Sequence, residues 1–277
     1  MTTDLATRPG RAAVEETREA EVRQLATVPE FEDAVRVLCQ VWHADNALDL
    51  VNSSVMAALA MSDNYVAGVF LGNEMVGAAV GWRGTNGHLH SHIAGIHPKH
   101  QGSGLGYALK MHELGWAGKR GLTSIQWTFD PLVRRNAHFN LSKLGTRVLG
   151  YHENLYGSLQ DGVNDGDHTD RLLVEWNVAA GAAPTSEAYG PELIDSAWRD
   201  DSQGWDFRSH PAATLTSKDG EVRLIATPHD VESLRLEQPE AAARWRAAVR
   251  EGMRSAREDG FGVTAFTADG YYVLRRP

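Results

Sequence analysis

The sequence has 277 residues, of which 42% are hydrophobic and 23% charged, a composition typical of globular proteins. Its formal net charge of −9 argues against a general binder of nucleic acid or anionic membranes, because those partners attract basic surfaces. No run approaches the ~18 apolar residues that span a bilayer, and the first twenty residues lack the apolar segment of a signal peptide. Cys39 is the single cysteine, which excludes an intramolecular disulfide. We therefore expect a cytoplasmic protein with a flexible tail at residues 1–20 and neither nucleic acid nor a membrane as partner.

Strands and helices alternate through the first hundred residues. The spacing of apolar side chains predicts, in order, a strand at 21–27, a helix at 29–44, a helix at 51–63 and three strands within 65–98. The three strands are separated by the turn-like sequences GNE and GTNG. This part of the chain therefore predicts an antiparallel meander.

The following eighty residues contain a glycine-rich loop and further alternating elements. The predicted elements are a helix at 103–121, a strand at 122–129, a helix at 133–145, and strands near 148–157 and 171–178. From Ala179 to Gly190 the composition changes to Ala, Gly, Pro and Ser, which is typical of a linker.

A smaller α+β segment is predicted after the linker. Its elements are a strand at 221–228, an amphipathic helix at 239–259 and a hairpin at 261–276 that turns at Asp269-Gly270. The apolar stripe of the helix is formed by Trp245, Val249, Met253 and Ala256. Four arginines lie on another side of it, namely Arg246, Arg250, Arg254 and Arg257. We expect this arginine side to be a solvated face, with a homodimer contact or a lid over a substrate site as the functional alternatives.

The stretch HPKHQGSGLG, residues 97–106, lies between a predicted strand and a predicted helix, where bare backbone can approach an anion. It lacks the Lys-Ser/Thr pair of a Walker A loop. A dinucleotide fingerprint would need a small residue where Tyr107 stands, although Asp130 lies where a ribose-binding acid belongs, so this alternative stays open. The third pattern is Gln-x-x-Gly-x-Gly, which Gln101, Gly104 and Gly106 satisfy.

This last pattern resembles the acetyl-CoA loop of the GNAT superfamily of N-acetyltransferases. The order of predicted elements over residues 21–178 is similar to that superfamily, and so is the helix NAHFNLSKLG at residues 136–145. Two positions depart from the pattern, because Leu141 stands where the family usually has a tyrosine and Thr146 replaces an aromatic residue. The chain further resembles a larger bacterial subgroup with a C-terminal extension.

The resemblance implies an α/β fold with a mixed, mostly antiparallel sheet flanked by helices and a small C-terminal α+β extension. Together with the tail and the linker that composition predicts, it divides the chain into a tail at 1–20, a GNAT domain at 21–180 and an extension at 190–277. It also implies acetyl-CoA as co-substrate and no metal. The pyrophosphate would lie on the backbone N–H groups of the loop, and the N–H of Ile96 would polarise the thioester. The implied cofactor-binding residues are Ala94, Gly95, Ile96, Gln101, Gly102, Ser103, Gly104, Leu105, Gly106 and Asn136.

Three histidines precede the loop at alternate positions of the predicted strand, with about 7 Å between neighbours from the strand rise. They are His88, His90 and His92. A metal site, a general base for an amine acceptor and ordinary polar strand residues are all open readings. The resemblance favours a base, because many GNAT enzymes carry a glutamate six residues before the position of Ile96, and arylalkylamine acetyltransferases place paired histidines here. We therefore predict His90 as the catalytic base, assisted by His92.

The general acid is assigned by element order alone, with Tyr156 preferred and Tyr151 as the alternative. Because Cys39 offers no convincing acyl-enzyme nucleophile, we expect direct transfer of acetyl from acetyl-CoA to an amine in a ternary complex. The expected acceptor is a small-molecule or peptide amine. A non-catalytic acyl-CoA sensor and a dinucleotide-binding oxidoreductase are the competing hypotheses.

Overall fold

The computed structural model describes residues 20–44, 50–157, 167–183, 214–217 and 220–276. Its main sheet consists of β1 (Ala20–Gln24), β2 (Tyr65–Leu71), β3 (Glu74–Arg83), β4 (His88–Ile96), β5 (Ser124–Phe129), β6 (Arg147–His152) and β7 (Arg171–Asn177). The strand order is β1-β2-β3-β4-β5-β7-β6, and every neighbouring pair is antiparallel except β4 with β5. The predicted mixed, mostly antiparallel sheet is therefore confirmed.

Helices cover both faces of this sheet: α1 (Val28–Trp42), α2 (Ser53–Met61), α3 (Leu105–Lys119) and α4 (Arg134–Ala137). Apolar residues of α1 and α2 pack with Val80 and Ile93 on what we call the first face. Residues of α3 pack with Leu89 and Ile125 on the second face. The helix predicted at 133–145 is instead the single turn of α4 followed by a π-helical segment, His138–Lys143.

The main sheet opens between β4 and β5. Strand β4 stays paired with β3 from Leu89 to Ile96, but it pairs with β5 only over His88–His90 and Ser124–Gln126. Strand β5 continues to Phe129 on its other partner, β7. We call the opening between residues 91–96 of β4 and 127–129 of β5 the β4–β5 gap. The two strands thus separate before the glycine loop begins.

The C-terminal region has its own antiparallel sheet, made of β8 (Thr214–Thr216), β9 (Val222–Ala226), β10 (Gly262–Phe266) and β11 (Tyr271–Arg275) in the order β10-β11-β9-β8. Two helices accompany it, α5 (Val231–Glu237) and α6 (Pro239–Glu258). The predicted stripe of α6 is confirmed as buried, with Trp245 3% and Val249 0% exposed. Two elements were not predicted, β8 and α5, because three and seven residues carry too little periodicity.

The two regions share one hydrophobic core, in which Trp245 and Tyr272 belong to the same cluster as Trp127 and Leu141. Charged groups also cross the junction: both nitrogens of the Arg246 fork donate to the carboxylate of Asp130 at 2.8 Å. The expected solvated arginine face is therefore wrong for Arg246, which is 2% exposed. The sequence could not reveal a carboxylate partner more than a hundred residues away.

Two sequence-based expectations concern residues that lie outside the described ones. They are most of the tail, residues 1–19, and residues 184–190 of the expected linker. Over the described residues, no helix combines the length and the apolar character that crossing a membrane requires.

Candidate active site

The glycine loop joins the end of β4 to the start of α3. Gly102 and Gly104 have φ values of 78° and 87°, which residues with a side chain rarely adopt. A side chain at either position would meet no protein atom within 4 Å, so the loop backbone is open to a ligand. Gly104 is the N-cap of α3 and makes no side-chain cap, which leaves the first N–H groups of that helix available. This arrangement suits a phosphate or pyrophosphate.

Side chains of the loop hold it against the end of β4. The Gln101 amide donates to the carbonyl of Ile96 at 3.1 Å, and the Ser103 hydroxyl donates to the carbonyl of His100 at 2.5 Å. The motif glutamine therefore ties the loop to β4. Gly95 has a packing role, because an added Cβ would lie 2.6 Å from a methyl group of Val41 in α1. The loop is thus tied to the end of β4, and β4 packs closely on α1 at Gly95.

The first face of the sheet carries an aromatic cluster beside the gap. Trp82 is the β3 partner of His90, and its ring lies 4.9 Å from the His90 ring and 4.7 Å from the His92 ring, centre to centre. A β-bulge between Val80 and Gly81 places His92 as the extra residue of β4. Trp82 was not predicted as a site residue. A four-residue GTNG turn would pair it with Leu89, whereas the loop comprises only Thr85–Gly87 and pairs Trp82 with His90.

The pKa values of both imidazoles are lowered. Burial lowers the pKa of His90 below its ordinary value of 6.5, the nearby His88 adds to that effect, and Glu113 opposes it. Burial, followed by the neighbouring His90, lowers the pKa of His92 to about 4. Both rings are therefore neutral near pH 7, which is the state in which an imidazole accepts a proton.

Tyr156 lies on the same face, across the gap from the histidines. Its hydroxyl is 2.9 Å from the Thr128 hydroxyl, and the phenol is 40% exposed. Thr128 follows Gln126 by two residues, and Gln126 is the β5 partner of His90, so the side chains of His90, Gln126 and Thr128 point to one face. The structure thus brings Tyr156 to the face that carries His90.

The other candidate residues are less exposed or already engaged. The Tyr151 hydroxyl donates to Asp170 at 2.5 Å, and burial, together with that carboxylate, raises the pKa of Tyr151 well above its usual range. Leu141 is 3% exposed and packs in the core. Asn136, half-buried in α4, makes no side-chain hydrogen bond to any residue that the structure describes.

Asp130 was the residue on which the alternative hypothesis of a dinucleotide-binding site depended. Burial raises its pKa, but Arg246 and then Arg235 outweigh this effect and hold the pKa well below its usual range. Both arginines donate to its carboxylate, which is 8% exposed. The carboxylate is therefore committed to the junction with the C-terminal region and is not placed to bind a ribose.

No group of three or more His, Cys, Asp or Glu side chains within the described ranges could hold a metal ion. The three histidines of β4 do not converge on one point, because His88 contacts the Thr85 carbonyl through Nδ1 while His90 and His92 pack on Trp82. The geometry of this strand therefore does not support the hypothesis of a metal site formed by its histidines.

The seven-stranded, mostly antiparallel sheet, opened beside a loop suited to pyrophosphate, has the features that the resemblance to acyl-CoA-dependent acetyltransferases implies. Residues 18–145 match the model of the Acetyltransferase (GNAT) family. Residues 18–145 therefore form a GNAT acetyltransferase domain, a family whose acetyl donor is acetyl-CoA. Strands β6 and β7 lie beyond the matched residues and complete the same sheet.

Solved structures of acetyltransferases resemble the chain at low sequence identity, and no curated protein matches it. The ribosomal-protein-S18-alanine N-acetyltransferase from Escherichia coli is 17% identical, with 61% of this chain and 98% of that chain covered and a TM-score of 0.48. A GNAT-family acetyltransferase from Streptococcus pneumoniae is also 17% identical, with 57% and 99% covered and a TM-score of 0.47. PaiA N-acetyltransferase from Thermoplasma acidophilum, in complex with coenzyme A, is 14% identical, with 57% and 99% covered and a TM-score of 0.45.

Proposed function

We propose that this protein is an N-acetyltransferase that transfers acetyl from acetyl-CoA directly to a small-molecule or peptide amine. The observation that carries the proposal is the β4–β5 gap, which begins beside His90 and ends at the glycine loop. In this proposal the GNAT domain spans residues 21–180, and residues 190–277 support it without taking part in the chemistry.

The backbone of the loop and of β4 binds the donor. The N–H groups from Gln101 to Gly106 receive the pyrophosphate, and the pantetheine arm lies in the gap along Ala94, Gly95 and Ile96. The N–H of Ile96 polarises the thioester carbonyl, and Asn136 contacts the cofactor from α4. Support comes from the open surroundings of Gly102 and Gly104 and from the absence of a side-chain cap on α3.

His90, assisted by His92, removes a proton from the ammonium form of the acceptor. The neutral amine attacks the thioester carbonyl, the carbon–sulfur bond breaks, and the thiolate takes the proton of the Tyr156 hydroxyl. The nitrogen loses its second proton to water as the amide forms, and water returns a proton to Tyr156. The lowered pKa of His90 supports the first step, because a neutral imidazole is the base that this step needs. Protonation of the thiolate by Tyr156 is supported by two observations. The Tyr156 hydroxyl is hydrogen-bonded to Thr128, and Thr128 lies on the same face of the sheet as His90.

Binding of CoA is tested with two valine substitutions in one helix. Gly106 has an ordinary φ, and an added Cβ would meet only Ile96 at 3.8 Å, so Gly106→Val crowds the ligand and leaves the protein intact. The control is Gly115→Val, since a Cβ at exposed Gly115 meets nothing within 4 Å. We expect Gly106→Val to weaken CoA binding by about tenfold or more in calorimetry, because the backbone approach is lost, with no change for the control. Equal affinities for both variants would refute the loop assignment.

Turnover is tested with acetyl-CoA and a panel of primary amines, following the release of free thiol and the mass of the acetylated amine. Acetylation of any amine supports the proposal and excludes a non-catalytic sensor. CoA binding without turnover across polyamines, amino acids, aminoglycosides and peptide N-termini would favour the sensor. Binding of NAD(P)H in place of CoA would favour the oxidoreductase.

A further inference from the structure

Two charged side chains are buried in α3, on the face that packs against the main sheet. Lys110 and Glu113 are 7% and 1% exposed, and they form an ion pair of 2.8 Å one turn apart. Their neighbours on this face are apolar, among them Leu109, Leu114 and Trp116. A buried ion pair adds little stability over apolar residues of similar volume, because both groups lose their hydration. A contribution to stability therefore does not by itself explain why this ion pair is buried here.

The Lys110 ammonium contacts both strands at the point where they separate. It donates to the Ser91 hydroxyl of β4 at 3.0 Å and lies 3.9 Å from the centre of the Trp127 ring of β5. The last paired residues of these strands are His90 and Gln126, so Ser91 and Trp127 are the first residues beyond the pairing. The ammonium thus lies at the vertex of the β4–β5 gap, on the second face of the sheet.

Neighbouring strands would otherwise tend to continue pairing, because backbone groups left unpaired inside a protein cost free energy. A group that contacts the side chains of both strands just past the last pair stops the pairing at a fixed residue. Lys110 does so with a hydrogen bond on one side and a cation–π contact on the other. Trp127 is itself held, since its indole N–H donates to Asn140 at 3.3 Å.

We propose that the Lys110–Glu113 pair is a positioning element that sets the vertex of the β4–β5 gap and thereby places His90 and the β4 backbone against bound acyl-CoA. This inference rests on the proposed function, since it assumes that the gap receives the pantetheine arm. Lys110 and Glu113 act through Ser91 and Trp127 and do not touch the reacting atoms.

Two further observations agree with a role at the site. The second carboxylate oxygen of Glu113, Oε1, is buried and has no hydrogen-bond partner in the described part of the chain, a costly arrangement in a purely stabilising pair. Glu113 also raises the pKa of His90, against burial and His88, which lower it. The charge of Glu113 therefore acts on the proposed base on the opposite face.

The test replaces the pair by apolar residues of similar length, Lys110→Met with Glu113→Leu. We expect the melting temperature to be equal or higher, because apolar replacement of a buried ion pair is often neutral or stabilising. Affinity for adenosine 3′-phosphate 5′-diphosphate, which is CoA without its pantetheine arm, should stay unchanged because the loop is intact. Affinity for CoA and kcat should each fall by about tenfold or more, because the gap is no longer held in register. Lys119→Met, an exposed lysine of the same helix, is the matched control and should behave like the unmodified protein.

The outcomes separate this inference from the proposed function. If the unmodified protein binds CoA and turns over, and the double variant is folded with unchanged CoA affinity and kcat, the positioning role is refuted while the function stands. If the unmodified protein does not bind CoA, the proposed function itself fails. Should the double variant not fold, Ser91→Ala makes the same test, because it removes the contact between Lys110 and β4. In Ser91→Ala, weaker binding of CoA with unchanged affinity for adenosine 3′-phosphate 5′-diphosphate supports the inference. Unchanged affinity for both ligands refutes it.

Discussion

The β4–β5 gap and the junction with the C-terminal region place polar groups in opposite ways. At the junction, Asp130 and Asp167 accept hydrogen bonds from Arg235 and Arg246, and all four side chains are less than a tenth exposed. At the gap, strand pairing stops at His90, loop glycines face open space, and the Tyr156 phenol is 40% exposed. One region satisfies its charges within the protein, and the other leaves donors for a ligand.

This contrast indicates which region is built for stability and which for binding. Charges paired on every side cannot respond to a substrate without a large loss of free energy. Neutral imidazoles and uncapped backbone N–H groups can respond at little cost. The predictions below test the contrast, starting with the largest expected effect.

The largest expected effect is at the junction. Asp130→Ala leaves Arg246 and Arg235 buried with Asp167 as their remaining carboxylate, so we expect the free energy of unfolding to fall by about 3–5 kcal/mol. Urea unfolding measures this loss. The control is Arg135→Ala, which breaks an exposed ion pair with Glu232 across the same junction and should cost about 1 kcal/mol or less. Similar losses in the two variants would show that burial does not set the strength of this junction.

The apolar part of the same junction is tested at Trp245. This side chain is 3% exposed in the shared core, so Trp245→Ala should lower the free energy of unfolding by about 3 kcal/mol through the cavity it leaves. The exposed neighbour Arg244 supplies the control, Arg244→Ala, with little expected change. If a soluble protein ending at residue 185 keeps full activity and the melting temperature of the full chain, the shared core is dispensable.

The gap is tested first at the proposed base. His90→Ala should lower kcat by about a hundredfold, because proton removal from the amine is lost. Acetyl-CoA affinity should stay nearly unchanged, since the donor is bound by backbone, and His90→Gln should be as impaired as alanine. His88→Gln, on the same strand, is the control and should keep most of its activity. Wild-type turnover by both His90 variants, with chemistry rate-limiting, would make His90 an ordinary polar strand residue.

The proposed acid should matter less, because a thiolate is a good leaving group even without protonation. Tyr156→Phe removes the hydroxyl and its contact with Thr128, and we expect kcat to fall by about tenfold or less. Tyr151→Phe is the comparison: Tyr151 donates to buried Asp170, so its loss should lower stability and leave kcat unchanged. If instead kcat fell only in Tyr151→Phe, the general acid would be Tyr151, and the junction would take part in the chemistry.

The smallest expected effect is a displacement of the pH profile. Burial, then His88, lowers the pKa of His90 below 6.5, so the base is neutral at pH 7 and becomes protonated only as the pH falls through that lowered value. Corrected for ionisation of the acceptor, kcat/KM should therefore be flat above pH 6.5 and decline below it. Glu113→Gln removes the charge that raises this pKa, so the decline should move to still lower pH. A decline centred above 6.5, or one unaffected in His90→Gln, would contradict the assignment.

Local patterns in the sequence predicted most elements of the main sheet. The meander from β2 to β4 follows from three strand-like runs separated by GNE and GTNG, and α3 follows from its apolar spacing after the loop. The glycine loop is also visible in the sequence, because the positive φ angles of Gly102 and Gly104 are adopted readily only by glycine. Helix boundaries were predicted less well near residue 138, where a π-helical segment replaces α-helix.

The features that were missed are contacts between distant parts of the chain. Lys110, Ser91 and Trp127 come from three elements and meet only where the sheet opens. Arg246 looked like a solvated residue because the periodicity of α6 carries no record of Asp130. A helical repeat shows which side of a helix is apolar, but not which charged partner faces the other side.

The sequence by itself determined the glycine loop, the order of most strands and helices along the chain, and the alternation that puts His90 on one face of β4. These depend on dihedral preferences and on periodicity over a few residues. Tertiary structure alone decided that pairing stops at His90 and Gln126, that Tyr156 reaches that face, and that Asp130 serves the junction instead of a ligand. The physical reason is that strand separation and buried charge pairing depend on groups far apart in the chain, whose approach is fixed only when the whole core packs.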